Sequence, residues 1–400
     1  MTSHLRNELM EGRARLPRVG SVVELETQHP PYAVIGPDNE PVVPVVPYLR
    51  DLALNDNSPA TARSYANDLL RWFRFLWLLN VSWDKATEGE VSVIVGWLRT
   101  APNLQRRRTR PDAPEPGSVN PRTGKRYLKA GYAPATINHA LTVVGSFYDF
   151  HRDLGRGPLV NPVPVSEARR RALAHHSPME TVPVFRRGRL RQRVPSTEPR
   201  AIPDAMWDEF FAAMNHDRDR AAVLLYVASG ARASELLGVT PADIDWPGQI
   251  FYVVSKGTRL REPIPASPQA LVLLAAYLDA MGMPAAHEPV FRTRRGPDKP
   301  LTYWAMRRVI QRANDKLKTN WSLHDLRHTA AERMANDPHL TLVEVRAILR
   351  HADLATTGRY LHARVEDLFD ALQAHYQRPR IQLSIAPGYD ADDFKVVFGG

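Results

Sequence analysis

The sequence predicts a mainly α-helical protein, in which an N-terminal helical bundle is followed by a second α-rich domain with a small antiparallel β-hairpin. Apolar residues recur at helical spacing in several segments on both sides of residue 165. Two short predicted strands, at 249–255 and 259–264, flank the turn Lys256-Gly257-Thr258, a pattern typical of a hairpin. A chain of 400 residues also exceeds what one core usually supports, so we expect two domains.

Changes in periodicity and composition divide the chain into five parts. The expected parts are an extended N-terminal arm at 1–43, a helical domain at 44–165 with a basic insertion at about 103–131, an arginine-rich linker at 166–200, a second domain at 201–378 and a tail at 379–400. The first part is rich in proline and shows no sustained period. We therefore expect it either to cross a partner surface or to be disordered.

Four helices are expected in the first domain. A short helix at about 48–54 precedes Ser58-Pro59, where the serine can cap the next helix and the proline can occupy its first position. That second helix has a broad apolar face formed by Tyr65, Leu69, Trp72, Phe73, Leu76 and Leu79. A third helix at about 88–99 and a fourth, capped by Ala135-Thr136, complete the predicted bundle.

The second domain is predicted to alternate helices with one hairpin. The expected elements are helices at 204–215, 218–229, 268–281 and 303–317, and strands at 249–255 and 259–264. Ser322 can cap a further helix, and Thr341-Leu342-Val343-Glu344 has the pattern of a capping box that opens another. A third helical piece then carries Thr356, Thr357 and Tyr360.

Composition limits the possible functions. The chain has a net charge of +10 and a pI near 9.8, which favours a polyanionic partner, although many basic proteins bind no nucleic acid. It has no cysteine, which excludes disulfides, thiolate catalysis and cysteine zinc sites. The N-terminus lacks an apolar signal core and no run is long enough to span a bilayer, so we expect a cytoplasmic protein without a membrane partner.

Two basic segments are candidates for DNA phosphate contacts. The basic residues of the insertion are Arg106, Arg107, Arg108, Arg110, Arg122, Lys125 and Arg126. Those of the linker include Arg187, Arg189 and Arg191. Arginine suits bidentate phosphate contacts, and a long basic connector could lie along a nucleic-acid backbone between two domains. The alternative for the insertion is a solvated surface loop.

Histidines, arginines and one tyrosine recur at helical intervals near the end of the second domain. His324 and Arg327 are three residues apart, so both can reach one phosphate from one helix face. His351 and Tyr360 follow, and a tyrosine needs a base or cationic surroundings to attack phosphorus. His324 and His328 have the spacing of a helical metal pair, but Arg327 between them opposes a cation, so we expect no metal site.

Two further cations lie earlier in this domain. Arg232 is predicted at a helix N-terminus among apolar neighbours, where it needs a counter-charge or an anionic ligand. Glu235, three residues later, offers the purely structural alternative of an ion pair. Lys256, at the predicted hairpin tip, can swing into a neighbouring cleft, although most lysines at such tips are only solvated.

Three sequence boxes together resemble the tyrosine recombinase (phage integrase) family. They are Ser229 to Leu237 around Arg232, His324 to Thr329, and the last box with His351, Thr356-Thr357, Tyr360 and His362. The resemblance covers 202–376 well, and the helical bundle before it is more loosely similar to the core-binding domain of the family. One departure is Arg350, where the family usually has glycine; we expect it to change packing or to add a DNA contact.

The resemblance implies a tyrosine recombinase catalytic fold and a metal-free reaction on double-stranded DNA. Tyr360 would be the nucleophile, Arg232 and Arg327 would hold the non-bridging oxygens, and Lys256 or Lys299 would be the general acid. His324 would act in acid–base exchange and His351 would hydrogen-bond the phosphate. The resemblance also implies four protomers on two target sites, accessory DNA-bending or directionality proteins as possible partners, and no cofactor.

Four functions follow from these observations, in decreasing order of support. The first is a site-specific DNA recombinase of the integrase or transposase type, and the second is a DNA-relaxing enzyme similar to type IB topoisomerases. The third is a catalytically inactive DNA-binding regulator, although the full residue set argues against a decayed site. The fourth is a helical protein whose His/Arg cluster is structural.

Overall fold

Capping residues, prolines and glycines determine where the helices of this chain begin and end. The computed structural model describes residues 2–27, 29–103, 113–164, 188–195, 200–255, 259–296 and 298–350. The chain divides into two compact units, Met1–Thr197 and Glu198–Gly400. No helix among the described residues is long and apolar enough to cross a bilayer.

The first unit is mainly helical. In chain order it contains α1 (Thr2–Met10), β1 (Ser21–Glu24), β2 (Tyr32–Ile35), α2 (Val45–Leu54), α3 (Pro59–Leu79), α4 (Glu88–Thr100) and α5 (Pro134–Asp153). Ser58 caps α3 as predicted, because its hydroxyl accepts the Thr61 backbone N–H at 3.2 Å. Helix α5 begins at Pro134 with Ala133 as its N-cap, so the predicted cap at Ala135-Thr136 was wrong. Proline fits the first helical position, where no backbone N–H is needed.

Aromatic residues of α3 and α5 form much of the first core. Most of the predicted apolar face of α3 is buried, including Trp72 and Phe73. The indole N–H of Trp72 donates to the Tyr148 hydroxyl at 3.1 Å, and that hydroxyl donates to the Trp83 carbonyl at 2.9 Å. Phe147 contacts Phe73 edge to face, with ring centroids 5.9 Å apart. Both polar groups are therefore satisfied inside an apolar core.

The N-terminal segment is part of this core, and the expectation of an extended or disordered arm was wrong. Strands β1 and β2 pair antiparallel, with Val22 opposite Val34. Leu9 of α1 and Val34 are fully buried, and Arg74 of α3 donates to the Val19 carbonyl at 2.6 Å. One nine-residue helix and two four-residue strands are too short to show a clear period, so packing on α3 and α4 stabilises them.

The basic insertion is closed by antiparallel contacts. Isolated bridges join Pro102 to Gly131 and Val119 to Arg126. Asn120 is buried between the latter two, and its side-chain oxygen accepts the backbone N–H of Arg122 at 2.9 Å. The predicted hairpin-like insertion therefore has an ordered turn at 119–126, while residues 104–112 lie outside the described part of the chain.

The second unit contains seven α-helices and one small sheet within its described residues. They are α6 (Asp204–Ala212), α7 (Asp217–Ser229), α8 (Ala233–Leu237), β3 (Ile244–Asp245), β4 (Ile250–Val254), β5 (Arg261–Pro265), α9 (Pro268–Met281), α10 (Tyr303–Leu317), α11 (Leu323–Ala335) and α12 (Leu342–Leu349). The strands pair in the order β3-β4-β5, all antiparallel. The predicted hairpin is confirmed, and the two-residue strand β3 was not predicted.

Helix α7 lies at the centre of the second unit. It packs against α9 and α11, and its Ala221, Ala222 and Val223 are fully buried, as the apolar run predicted. The buried Phe251 of β4 closes one side of the same core. The predicted fold class, mainly α with a small antiparallel hairpin, is confirmed. The helical pieces and the tail expected after residue 350 lie outside the described residues.

Candidate active site

Helix α11 presents two of the predicted site residues on its first two turns. The Asp325 carboxylate accepts the backbone N–H of Ser322 at 2.7 Å and its hydroxyl at 2.8 Å, which fixes the start of the helix after Ser322. His324 is exposed and Arg327 is buried with 5% of its surface accessible. On the same helix, the His324 side chain therefore faces solvent and the Arg327 side chain lies in the protein interior.

Arg327 joins the C-terminal ends of two helices to α11. One guanidinium nitrogen donates to the carbonyl of Gly230, which follows α7, and another donates to the carbonyl of Leu349 at the end of α12, at 2.6 Å. Carbonyls at helix C-termini carry partial negative charge, so a cation there satisfies both hydrogen bonding and charge. Arg327 thus holds α7, α11 and α12 in one arrangement.

Gly230 is required at this junction for two reasons. Its φ of +58° is in the left-handed region, which favours glycine. A Cβ atom at this position would also collide with the side chain of Leu349 and lie 3.6 Å from the Cβ of Ala330. The close approach of α7, α11 and α12 therefore depends on the absence of a side chain.

Arg232 and Arg350 share the carboxylate of Glu235. The backbone N–H of Arg232 donates to Glu235 Oε2 at 2.8 Å, and its guanidinium donates to Oε1 at 2.7 Å. The guanidinium of Arg350 donates to Oε2 at 2.9 Å. The ion pair considered for Arg232 is thus present, and Glu235 has a second cationic partner from the end of α12.

The ionisation of Glu235 reflects these contacts. Burial by itself raises the pKa of this carboxyl. The two hydrogen bonds from Arg232 and the charges of Arg350 and Arg232 outweigh burial and lower the pKa to about 2. Glu235 is therefore ionised at neutral pH, although only 4% of the residue is exposed. Because two guanidinium groups surround this one carboxylate, the three side chains together carry a net positive charge.

His324 and His328 are neighbours on the surface of α11. Their ring centroids are 4.2 Å apart and the rings meet edge to face at 70°. His324 is exposed and His328 is half-buried. Within the described part of the chain, no group of three or more His, Asp or Glu residues has a metal-binding arrangement.

The structure joins some of the predicted site residues through contacts. Arg232 lies two residues after Gly230, and Gly230 is bound by Arg327, so both arginines belong to the same junction. Lys256, His351 and Tyr360 lie outside the described residues. Lys299, the alternative general acid, is exposed in the loop before α10. Its backbone N–H donates to the Thr293 hydroxyl at 3.2 Å.

The predicted DNA-contact residues belong to the first unit, and five of them are described. Arg122 and Arg126 are exposed and Lys125 is half-buried on the ordered turn at 119–126. Arg189 forms an ion pair with Glu88, and Arg191 donates to the Thr142 hydroxyl at 3.0 Å. Those outside the described residues are Arg106, Arg107, Arg108, Arg110 and Arg187.

Two supporting residues were missed by sequence reasoning. Arg350 was noticed only as a departure from the family pattern, because its partner Glu235 is 115 residues away. Thr329 is fully buried, accepts the Ile202 backbone N–H at 2.9 Å and donates to the Asp325 carbonyl at 2.8 Å. The sequence signal for Thr329 was its position at the end of the His324 to Thr329 box. A threonine buried there needs hydrogen-bond partners for its hydroxyl.

Comparison with known proteins finds similarity to tyrosine recombinases and to a transposase. Residues 202–367 match the phage integrase family. The chain is 30% identical over 165 residues to the tyrosine recombinase XerC of Pelobacter propionicus, covering 41% of this chain and 53% of that one. The chain therefore spans about half the length of that relative. It is 23% identical over 372 residues to transposase A from transposon Tn554 of Staphylococcus aureus, covering 89% of this chain and 97% of that one.

A solved structure supports the fold. The Tn1549 transposon integrase in complex with circular intermediate DNA has a TM-score of 0.54 to this chain at 15% identity, covering 83% of this chain and 98% of that one. The likeness concerns the fold. Residues 202–367 of this chain therefore match the phage integrase family, and the chain is similar in sequence to the tyrosine recombinase XerC and to transposase A of Tn554.

Proposed function

We propose that this chain is a site-specific DNA recombinase of the integrase or transposase type, which cuts and rejoins DNA through a covalent tyrosine intermediate. The observation that carries the proposal is the junction at which Arg327 binds the carbonyls that end α7 and α12, while Arg232, two residues after Gly230, is held by Glu235. Two guanidinium groups held by buried partners are preorganised donors for a phosphate. The family match extends over the same residues.

The proposed reaction is a transesterification. The Tyr360 hydroxyl oxygen attacks the scissile phosphorus and its proton passes to a base, for which His324 is the candidate. The bond from phosphorus to the 5′ oxygen breaks, and Lys256 protonates that oxygen as it leaves; Lys299 is the alternative acid. The products are a 3′-phosphotyrosyl link and a free 5′-hydroxyl. Attack by a 5′-hydroxyl of another duplex reverses the step, so strands are exchanged without metal or ATP.

The charge that develops in the transition state explains the choice of residues. The non-bridging oxygens gain negative charge as the tyrosine attacks, and Arg232 and Arg327 stabilise them. His351 adds a hydrogen bond to the phosphate. The chain acts as a homotetramer on two double-stranded DNA sites. Accessory DNA-bending or directionality proteins are further candidate partners. The reaction takes place in the cytoplasm, where we expect the DNA substrate.

Capture of DNA by the purified full chain tests the proposal. The probe is a library of random-sequence duplexes, and complexes that survive denaturation are recovered and sequenced. Wild-type protein should retain a defined sequence, attached through its 3′ phosphate, whereas Tyr360→Phe should retain none because the nucleophilic oxygen is lost. The control Tyr303→Phe removes the hydroxyl of a half-exposed tyrosine of α10 and should capture DNA as wild type does. Unchanged capture by Tyr360→Phe would contradict the proposal.

A second assay separates recombination from simple DNA relaxation. Supercoiled plasmids with and without the captured sequence are incubated with the protein, and their topology and joining are compared. A recombinase should act on plasmids that carry the sequence and join two such sites. Equal relaxation of plasmids that lack it would instead indicate an enzyme similar to type IB topoisomerases. Sedimentation of the complex formed with the captured duplex should give four protomers on two duplexes.

A further inference from the structure

Arg350 has a backbone conformation that an arginine rarely adopts. It follows α12 as the C-cap residue, with φ +51° and ψ +47°, in the left-handed region. Helices commonly end with glycine in this conformation, because a Cβ atom is disfavoured there. The sequence pattern of the family also leads one to expect glycine here. A long charged side chain at this position therefore needs a compensating interaction.

The side chain of Arg350 supplies that interaction through Glu235. Only 7% of this side chain is exposed. One guanidinium nitrogen donates to Glu235 Oε2 at 2.9 Å and another to the Ile348 carbonyl at 2.8 Å. A guanidinium that leaves water needs such partners. The contact joins the end of α12 to the first turn of α8.

The three charged side chains differ in their exposure to solvent. The side chains of Arg350 and Glu235 are 7% and 1% exposed, whereas that of Arg232 is 32% exposed. The buried pair is thus Arg350 with Glu235, and Arg232 forms the accessible side of the cluster. If Arg232 alone balanced Glu235, its charge would be neutralised locally. With Arg350 present, one positive charge remains in excess next to the accessible arginine.

We propose that Arg350 is a positioning residue for Arg232. By binding one oxygen of Glu235 from inside, it fixes the carboxylate that orients Arg232 and leaves the Arg232 guanidinium with net charge for an anion. The inference rests on the proposed function, in which that anion is the scissile phosphate. The contact joins the end of α12, which directly precedes His351 in the sequence, to the carboxylate that holds Arg232.

A purely structural role would give a different result on substitution. Arg350→Gly removes the backbone strain at φ +51°, so the fold itself should tolerate it. It also removes the second cation from Glu235. The carboxylate is then balanced by Arg232 alone and draws the Arg232 guanidinium closer. We expect the variant to keep a melting temperature close to that of wild type and to lose catalytic rate.

The first test measures the rate of covalent attachment and the affinity for DNA separately. The substrate is the duplex that wild-type protein captures from the random library, used at single turnover. Arg350→Gly should lower the attachment rate about 10²-fold, as small misplacement of a catalytic group does. Its Kd should change by less than about threefold, because the contact acts in the transition state. Arg350→Lys keeps the charge and should recover the rate to within about tenfold of wild type.

A matched control is available one turn earlier on the same helix. Arg346→Ala also removes one positive charge from α12, but Arg346 is exposed and the Arg350–Glu235 contact stays intact. Its attachment rate should remain within about twofold of wild type, as expected for a surface substitution. Equal rate losses for Arg346→Ala and Arg350→Gly would show that the rate depends only on the net charge of α12. That result would overturn the proposal.

A second measurement needs no DNA and remains decisive if wild-type protein captures none. Side-chain nitrogen spectra of ¹⁵N-arginine-labelled protein report the mobility of the Arg232 guanidinium, assigned with Arg232→Lys. Arg350→Gly should shift this resonance and change its mobility, whereas Arg346→Ala should leave it unchanged. An Arg232 signal unaffected by Arg350→Gly would overturn the positioning role. Absence of capture by wild type would count against the proposed function instead.

Discussion

At the scale of single residues, one buried carboxylate of the second unit, that of Glu235, binds two guanidinium groups. Glu235 has hydrogen bonds to Arg232 and to Arg350, which approach it from different helices. Removing the carboxylate leaves two neighbouring guanidinium groups without their counter-charge, which is usually costly, whereas removing one arginine leaves Glu235 paired with the other. The stability of this cluster is therefore expected to depend mainly on Glu235.

The pKa of Glu235 makes this expectation measurable. The folded-state pKa is about 2 and the ordinary value is 4.5. The stabilisation from the carboxylate is thus complete above about pH 5 and is lost as the pH falls toward 2. The difference in free energy of unfolding between wild type and Glu235→Gln should fall by about 3 kcal/mol across that window. Denaturant unfolding at a series of pH values measures it.

The control for this titration is a carboxylate on the surface of the same unit. Asp208 is exposed on α6, and Asp208→Asn should differ from wild type by less than about 0.5 kcal/mol throughout the same pH series. If the difference between wild type and Glu235→Gln stayed constant from about pH 7 to about pH 2.5, the proposed charge cluster would be wrong.

Sequence reasoning at this scale succeeded for local pairs. The contact between Arg232 and Glu235 was considered because residues three apart share a helix face. The contact between Arg350 and Glu235 could not be anticipated, because no local rule relates residues 115 positions apart. Lys256, His351 and Tyr360 remain predictions from the sequence pattern.

At the scale of elements, the junction of α7, α11 and α12 depends on Gly230. Gly230→Ala should lower the free energy of unfolding by more than about 2 kcal/mol, since it combines a disfavoured φ with a collision against Leu349. Gly155, after α5, has φ +66°, and a Cβ atom added there would meet no other atom within 4 Å. Gly155→Ala should therefore cost only about 1 kcal/mol. Thermal or denaturant unfolding of both variants compares them, and equal losses would refute the packing argument.

The N-terminal segment offers a second test among the elements. Leu9 of α1 is fully buried in the first core, so Leu9→Ala should destabilise that unit by about 2–4 kcal/mol. Leu25, just after β1, is 37% exposed, and Leu25→Ala should cost less than about 1 kcal/mol. Denaturant unfolding followed by tryptophan fluorescence separates them, and a negligible effect at Leu9 would restore the view of this segment as a loose arm.

Element positions were predicted well wherever a helix was long or its cap distinct. Helices α9 and α10 occur at the predicted residues, and Thr341 opens α12 with the predicted capping box. Short elements such as α1 and β3 were not predicted, because a few residues contain too little periodicity. Their existence depends on packing partners that are distant in sequence.

At the scale of the whole molecule, positive charge is the property that connects the fold to the proposed DNA substrate. The chain carries a net charge of +10, and part of its basic surface is on the ordered turn at 119–126. Proteins that neutralise DNA phosphates release counterions, so their affinity falls as salt rises. DNA binding by this chain should therefore weaken steeply between low and physiological salt.

The double variant Arg122→Ala/Arg126→Ala tests whether that turn contacts phosphates. The slope of log K against log salt concentration should become shallower by about 2, roughly one for each lost contact. Arg152 forms ion pairs with Asp149 and Asp153 on the surface of the same unit, and Arg152→Ala should leave the slope unchanged. Fluorescence anisotropy at several salt concentrations gives the slopes, and an unaltered slope in the double variant would remove the turn from the DNA interface.

The sequence by itself determined the fold class, most of the helix boundaries, the basic character and the boxes that identify the family, because each depends on neighbouring residues. The tertiary structure alone decided that Arg327 binds the Gly230 and Leu349 carbonyls, that Arg350 shares Glu235 with Arg232, and that the N-terminal segment belongs to the first core. These contacts join residues far apart in the chain. Their energies arise from burial and charge pairing, which exist only after the helices have packed.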